Sequence, residues 1–174
     1  MQNTFHLDKD RIPVFIGKEG SKKRKFEKKF DCQIEINSET GDITINNAES
    51  LNLFILNNII NAINLGQNPD NAIKLEDETY VHDTIDVKNY EKEQSRLKTI
   101  MGRIIGKDGS TRRIIEEITK CNLAVKDHYV SVIGPYENTI LVHEALDMLI
   151  KGASHKTLYS YLERNKHKVD TGLL

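Results

Sequence analysis

The chain has 174 residues, 38% apolar and 29% charged, with a formal net charge of −1. Its most apolar stretch, Leu51 to Leu65, is broken by Asn52, Asn57, Asn58, Asn61 and Asn64, which excludes a membrane-spanning helix, and Met1 to Asp10 lacks the apolar run of a signal peptide. The two cysteines, Cys32 and Cys121, stand in no Cys-x-x-Cys pair and open predicted strands, so they are expected as small core residues of a reducing, cytoplasmic compartment and not as a disulfide or metal site.

Taken in chain order, Phe5 and Leu7 mark a short first strand, and Arg11 to Ile16 a short helix with Pro13 in its first turn. A glycine turn follows, then Ser21 as a predicted N-cap and a helix through Phe30 with Phe26 and Phe30 on its inner face. Gln33 to Asn37 and Asp42 to Ile45 alternate polar and apolar residues around Ser38-Glu39-Thr40-Gly41, which predicts a hairpin. A long helix from Glu49 or Ser50 to Leu65, with Leu53, Leu56, Ile60 and Ile63 on one face, closes at Gly66. Asn68-Pro69-Asp70 opens a connecting helix through Leu75, and a strand runs from Tyr80 to Val87. Helix signals return at Tyr90, with Leu97, Ile100, Met101 and Ile104 spaced for one face. After a second glycine turn comes a helix from Ser110 to Lys120 with Ile114, Ile115 and Ile118 inward, then a hairpin with Leu123, Val125, Val130 and Val132. The chain ends with a helix from Tyr136 to Lys151, closed by Gly152, and a terminal helix from Ser154 to Arg164 with Leu158 and Leu162 inward.

The order repeats because the sequence does. Gly17-Lys18-Glu19-Gly20 returns 89 residues later as Gly106-Lys107-Asp108-Gly109, preceded by Ile16 or Ile105 and followed by Ser21 or Ser110. Cys32 and Cys121, Ile34 and Leu123, and Ile36 and Val125 keep the same offset. The spacing is too long for solenoid units of about 20–50 residues, so it predicts two duplicated β-α-α-β-β-α modules in an α+β chain.

Charge is segregated around these turns. Lys18 to Lys29 carries seven basic and two acidic residues, including Lys22, Lys23 and Arg24, and Arg103 to Arg113 carries four basic residues (Arg103, Lys107, Arg112, Arg113) against Asp108. Glu76 to Asp86 holds five acids and no Lys or Arg. Paired glycines let the backbone approach another chain closely, and the following helix turns its amides and positive dipole end to the same spot, which favours phosphate. Such contacts position a nucleic-acid strand without reading it. Reading falls to an apolar groove between these helices and the hairpin, for which Ile104 and Ile105 are candidates as floor residues or, equally, as core. The basic runs alone also fit solvated helix faces; their coincidence with both glycine turns favours a phosphate footprint.

Other patterns carry less. Gly102 to Lys107 evokes a P-loop, but three residues separate its glycines and Asp108 replaces the Ser or Thr that a magnesium ion needs, so nucleotide hydrolysis is rejected. The six histidines lack ligand spacing, and no carboxylate cluster or histidine pair is set for acid–base chemistry, so neither a cofactor nor an enzyme activity is expected. Glu76, Asp77, Glu78, Asp83 and Asp86 are a solvated edge, a divalent-cation site or a face for a basic protein partner. Tyr129, Tyr159 and Tyr161 stack bases or pack.

The runs IGKEG and GRIIGKDGSTRRIIEE resemble KH-domain signatures. The segments GQNPDNAIKLEDETYVHDTIDV and GASHKTLYSYLER resemble archaeal two-KH RNA-processing proteins, relatives of the eukaryotic partner-of-Nob and Krr small-subunit assembly factors. The resemblance covers nearly the whole chain. It implies two tandem type I KH domains, each a three-stranded antiparallel sheet packed on helices: residues 1–66, then a connecting helix and acidic linker over 67–78, a second KH domain over 79–153, and a C-terminal helix and tail over 154–174. It implies binding of single-stranded small-subunit (pre-)rRNA near its 3′ end during ribosome assembly, with a PIN-domain endonuclease and the initiation-factor alpha subunit as protein partners, and neither a membrane nor a small-molecule substrate. By position, Gly106, Lys107, Asp108 and Gly109 are the main RNA clamp, supported by Arg103, Arg112 and Arg113, while Gly17, Lys18, Glu19 and Gly20 hold either RNA or protein. The alternative is a KH-fold protein-interaction scaffold without RNA. Where longer basic tails are expected in the family, this chain offers Arg164, Lys166, His167 and Lys168.

Overall fold

A computed structural model describes residues 3–171, the last four of these by backbone alone, so the Lys168 side chain and residues 172–174 of the predicted tail lie outside the described residues. The chain forms two compact units, residues 1–76 and 77–174. The boundary falls within the segment read from the sequence as the connection.

The first unit runs β1 (Asn3–His6), α1 (Ile12–Ile16), α2 (Ser21–Lys29), β2 (Gln33–Ile36), β3 (Asp42–Asn46), α3 (Ser50–Asn64) and α4 (Pro69–Ala72). Its antiparallel sheet has the order β1-β3-β2, with Ile43 opposite Phe5 on one side and Ile36 on the other. Ile34, Ile43 and Ile45 turn inward against Phe15, Phe26, Leu56, Ile59, Ile60 and Ile63, all buried, as alternation in strands and the i, i+3, i+4 spacing of α3 demand. Phe15 and Phe26 stack with ring centroids 5.1 Å apart, which joins the helices on either side of the first glycine turn. Pro13 sits in the first turn of α1, where its missing N–H is no loss.

The second unit runs β4 (Tyr80–Asp86), α5 (Gln94–Ile105), α6 (Ser110–Thr119), β5 (Asn122–Lys126), β6 (Tyr129–Pro135), α7 (Tyr136–Ile150) and α8 (His155–Thr171). Its sheet has the equivalent order, β4-β6-β5, again antiparallel throughout. The core joins Ile85, Val130 and Val132 of the sheet to Ile104, Ile115 and Leu146 of three helices, and Leu158 and Leu162 anchor α8 in the same cluster. No helix among the described residues is long and apolar enough to cross a membrane.

Three local expectations are corrected. Ser21 is the first helical residue of α2, and the N-cap is Gly20, whose left-handed conformation (φ 76°, ψ 14°) starts the helix without a side-chain cap. Helix α5 begins at Gln94 rather than Tyr90, since residues 87–89 form a short 3-10 turn started by Asp86, whose side chain accepts from Lys88 N. Lys120 lies beyond α6, in the left-handed region at φ 60°, where it ends the helix. Both cysteines are buried and unpaired with each other, as expected.

Candidate nucleic-acid interface

The two glycine turns fold alike. Gly17 and Gly106 adopt φ 72°, ψ 176° and φ 76°, ψ 170°, a region open to glycine almost alone. Glu19 (φ 52°, ψ 28°) and Asp108 (φ 53°, ψ 29°) are left-handed non-glycine residues, a conformation tolerated where a short acidic side chain or local bonding supports it. Gly20 and Gly109 follow, again left-handed, and each donates its amide to the first glycine's carbonyl at 3.2 Å. Two left-handed residues in succession swing the backbone around so that α2 and α6 start beside the loop, their first amides, Ser21 N and Ser110 N, donating to the Lys18 and Lys107 carbonyls. Lys18, Glu19, Lys107 and Asp108 are exposed or partly exposed at the tip of each turn.

Around this shared loop, side chains from both modules make matching contacts. Glu27 Oε1 accepts from Ile34 N at 2.9 Å and from Lys23 Nζ at 2.7 Å. Its counterpart Glu116, 89 residues on, accepts from Leu123 N at 2.7 Å and from Arg112 Nε at 3.4 Å. Burial alone would push the Glu27 carboxyl up, but these donors hold it below the usual carboxylate range. Lys23 and Arg112 are therefore tied to a carboxylate that fastens helix to strand. Arg24 Nη1 lies 3.0 Å from where a Cβ on Gly20 would sit, and Arg113 Nη2 donates to Asp108 O at 3.2 Å, so this arginine pair crowns the turns.

The predicted site residues divide on burial and partners. Ile104 is fully buried in the core, while Ile105 is 37% exposed beside the turn. The Arg103 guanidinium points away from the turn to the end of α7, donating to the Leu149 and Ala153 carbonyls. In the first unit Lys22 pairs with Asp70, which also accepts from Lys25 at 3.3 Å, and Lys29 pairs with Glu76 at 2.6 Å. Acids of the connecting segment thus offset much of the charge that the sequence concentrates on α2. Lys22, by its hydrogen bond, holds the Asp70 carboxyl below its ordinary range.

The secondary candidates are placed in local contacts. Asp77 accepts from Thr79 N and Oγ1, Asp83 pairs with His143 at 2.7 Å, and Asp86 faces His128 at 3.7 Å. Among the described residues no group of three or more His, Cys, Asp or Glu is placed to hold a metal ion. Tyr129 packs against His128, Tyr161 donates to Glu144, and Tyr159 to Thr111. The repeated Glu27 and Glu116 bonds escaped the sequence reading, although both residues share the 89-residue offset.

A family model for the second KH domain of PNO1, described as a eukaryotic-type KH domain (KH-domain type I), matches residues 81–167, half of the chain. A KH domain-containing protein of Methanocaldococcus jannaschii is 36% identical over 167 residues, covering 94% of this chain and 73% of that relative. A pre-rRNA-processing protein PNO1 of Phaeosphaeria nodorum is 30% identical over 106 residues, 59% of this chain, and the match spans only 40% of that longer relative. Among solved structures, the archaeal Dim2p from Pyrococcus horikoshii, crystallised with the initiation-factor subunit a/eIF2alpha and rRNA, superposes with a TM-score of 0.85 at 33% identity, covering 97% of this chain and 95% of that one.

Proposed function

Since the chain belongs to the PNO1 family of KH-domain proteins, we propose that it is an RNA-binding ribosome-assembly factor whose two units are tandem type I KH domains. It binds single-stranded small-subunit (pre-)rRNA near the 3′ end, in the cytoplasm and without a catalytic step of its own. The observation that carries this reading is the pair of matching glycine turns, each presenting an exposed lysine at its tip and leading directly into the N-terminus of a helix. The naming of pre-rRNA processing in PNO1 relatives, and of rRNA in the Dim2p complex, supports it.

In this reading Gly106, Lys107, Asp108 and Gly109 clamp the backbone, with Arg113 beside them and Ile105 on the apolar side. Gly17, Lys18, Glu19, Gly20 and Arg24 form the second, weaker clamp, because Asp70 and Glu76 already engage Lys22, Lys25 and Lys29. The Dim2p complex also supports the initiation-factor alpha subunit as a protein partner.

The test is a salt titration of binding to a labelled single-stranded RNA carrying the small-subunit rRNA 3′ end. Replacing Lys107 and Arg113 with Ala lowers affinity and flattens the log–log salt slope by about 0.7 for each phosphate that is no longer neutralised. The matching change at Lys18 and Arg24 does less. Binding that ignores salt, or no binding at all, would overturn the reading in favour of a KH-fold scaffold that holds only protein.

A further inference from the structure

Helix α8 reaches the second glycine turn from beneath. Thr111, two residues past Gly109, is buried and lies directly under Gly106, where a Cβ would meet Thr111 Oγ1 at 2.3 Å. Tyr159 of α8 donates its hydroxyl to that same Oγ1 at 3.2 Å. One helical turn earlier, His155 Nε2 is 2.9 Å from the carbonyl of Arg103, just ahead of the loop. Leu158 and Leu162 fix α8 in the core, so these two contacts hold the entry and the exit of the loop from one anchored helix.

The first unit has a contact at the same place with different chemistry. Lys22, 89 residues before Thr111, runs under Gly17, where a Cβ would meet its Cγ at 2.4 Å, and its ammonium pairs with Asp70 of α4. Asp70 in turn precedes Tyr159 by 89 residues. Counted from the closing glycines Gly66 and Gly152, the two come from successive helical turns, yet both end on the residue under the first glycine.

We propose that Tyr159 and Asp70 are positioning residues for the two glycine turns, the first turn braced by an ion pair and the second by a hydroxyl pair. This rests on the reading of the turns as phosphate clamps. A loop with two consecutive left-handed residues orders its amides only if something holds it, and order present before binding does not detract from affinity. The difference in bracing makes the two clamps respond differently to salt, since the partly exposed ion pair is screened and the hydroxyl pair is not.

Two measurements on the full chain test this. The first is deuterium exchange of the turn amides without RNA, and the second is affinity for the single-stranded 3′-end rRNA oligonucleotide. Tyr159→Phe keeps the ring and removes the hydroxyl; it should speed exchange at residues 107–109, lower the melting temperature by only a few degrees and weaken RNA binding about five-fold. Thr111→Val should match it, Thr111→Ser should behave as the parent, and Tyr159→Phe with Thr111→Val should be no worse than either alone. Raising salt from about 0.05 M to about 0.5 M should speed exchange at residues 18–20 and leave residues 107–109 unaffected. Unchanged exchange in Tyr159→Phe, faster exchange with undiminished RNA affinity, or an equal salt response at both turns overturns the proposal. If the parent chain binds no RNA, the clamp reading falls, and the exchange arm alone decides the brace.

Discussion

Arg103 donates from Nη1 to the Leu149 carbonyl at 3.0 Å and from Nη2 to the Ala153 carbonyl, and so closes the C-terminal end of α7. Arg11 does the same for α3, through Nε to Ile63 O at 2.7 Å and Nη2 to Gln67 O at 2.8 Å. Ile63 and Leu149 stand three residues before Gly66 and Gly152, and Gln67 and Ala153 one residue after. The last carbonyls of a helix have no partner within it, and a guanidinium fork supplies two donors and a positive charge there. The contact is duplicated although the residue is not, for Arg11 lies six residues ahead of its glycine turn and Arg103 three.

Arg103 is consequently a stability residue. Arg103→Ala removes the side-chain donor of the Ala153 carbonyl and one donor of the Leu149 carbonyl, which keeps its bond from Gly152 N, and should lower the unfolding free energy of the second unit by about 1–3 kcal/mol, with Arg103→Lys recovering part of it. Denaturant unfolding measures this. The salt slope of RNA binding should stay where it is; a slope flattened by a full phosphate contact would place the guanidinium on RNA and refute the structural role.

The same arginine shows what the sequence could and could not disclose. Element order, both hairpins, both closing glycines and the inward faces of Phe26, Ile60, Ile115 and Leu158 followed from periodicity, because apolar spacing is set by backbone geometry. Side-chain destinations did not follow. Arg103 and Lys107 are equally basic four residues apart, and only tertiary packing sends one to a helix end and leaves the other at the loop tip. Lys22, Lys25 and Lys29 counted as free charge until the chain brought Asp70 and Glu76 back onto α2. Ile104 and Ile105 were indistinguishable neighbours, and a helix necessarily points them in different directions.

Acid should weaken the second unit through His82. Burial holds its pKa below the ordinary 6.5, with the Asp83 carboxylate opposing more weakly, and its Nε2 lies 2.8 Å from Ser131 Oγ. The unfolded chain therefore takes up the proton first as pH falls below about 6.5, and stability drops until the folded pKa is passed, by about 1.4 kcal/mol for each unit of depression. Melting temperatures between pH 7.5 and pH 5 should show the decline in the parent and a flatter curve in His82→Gln. Parallel curves would assign the acid sensitivity elsewhere.

Cys121 should be inert in the folded protein. Burial pushes its thiol up to about 12, so almost no thiolate exists near neutral pH, and Cys32 is raised for the same reason. Mass spectrometry after treatment with N-ethylmaleimide should find both cysteines unmodified in the native chain and both modified in denaturant. The Cys121 Sγ also sits 2.4 Å from where a Cβ on Gly134 would be, so Gly134→Ala should destabilise β6 by about 1–3 kcal/mol, and Cys121→Ala in the same chain should return part of the loss.

The two glycines of the second turn should not be equally replaceable. Gly109 is left-handed at φ 74°, ψ 17°, and a Cβ there meets nothing within 4 Å. Gly109→Ala should therefore cost only the left-handed penalty of about 1–2 kcal/mol, and Gly109→Asn less. Gly106 pairs its positive φ with ψ 170°, where side chains are almost excluded, and its Cβ would meet Thr111 N at 2.6 Å as well as the threonine side chain. Backbone cannot step aside, so Gly106→Ala should displace the start of α6, lose more stability than Gly109→Ala and abolish RNA binding by that turn. At Gly17 the nearest obstacle is Lys22 Cγ at 2.4 Å, with Lys22 N more distant at 3.1 Å. A lysine stem can swing away, so Gly17→Ala should be milder than Gly106→Ala, and Lys22→Ala should relieve it further. Thermal unfolding of these variants ranks them directly, and a Gly106→Ala chain as stable as Gly109→Ala would refute the close approach beneath the second turn.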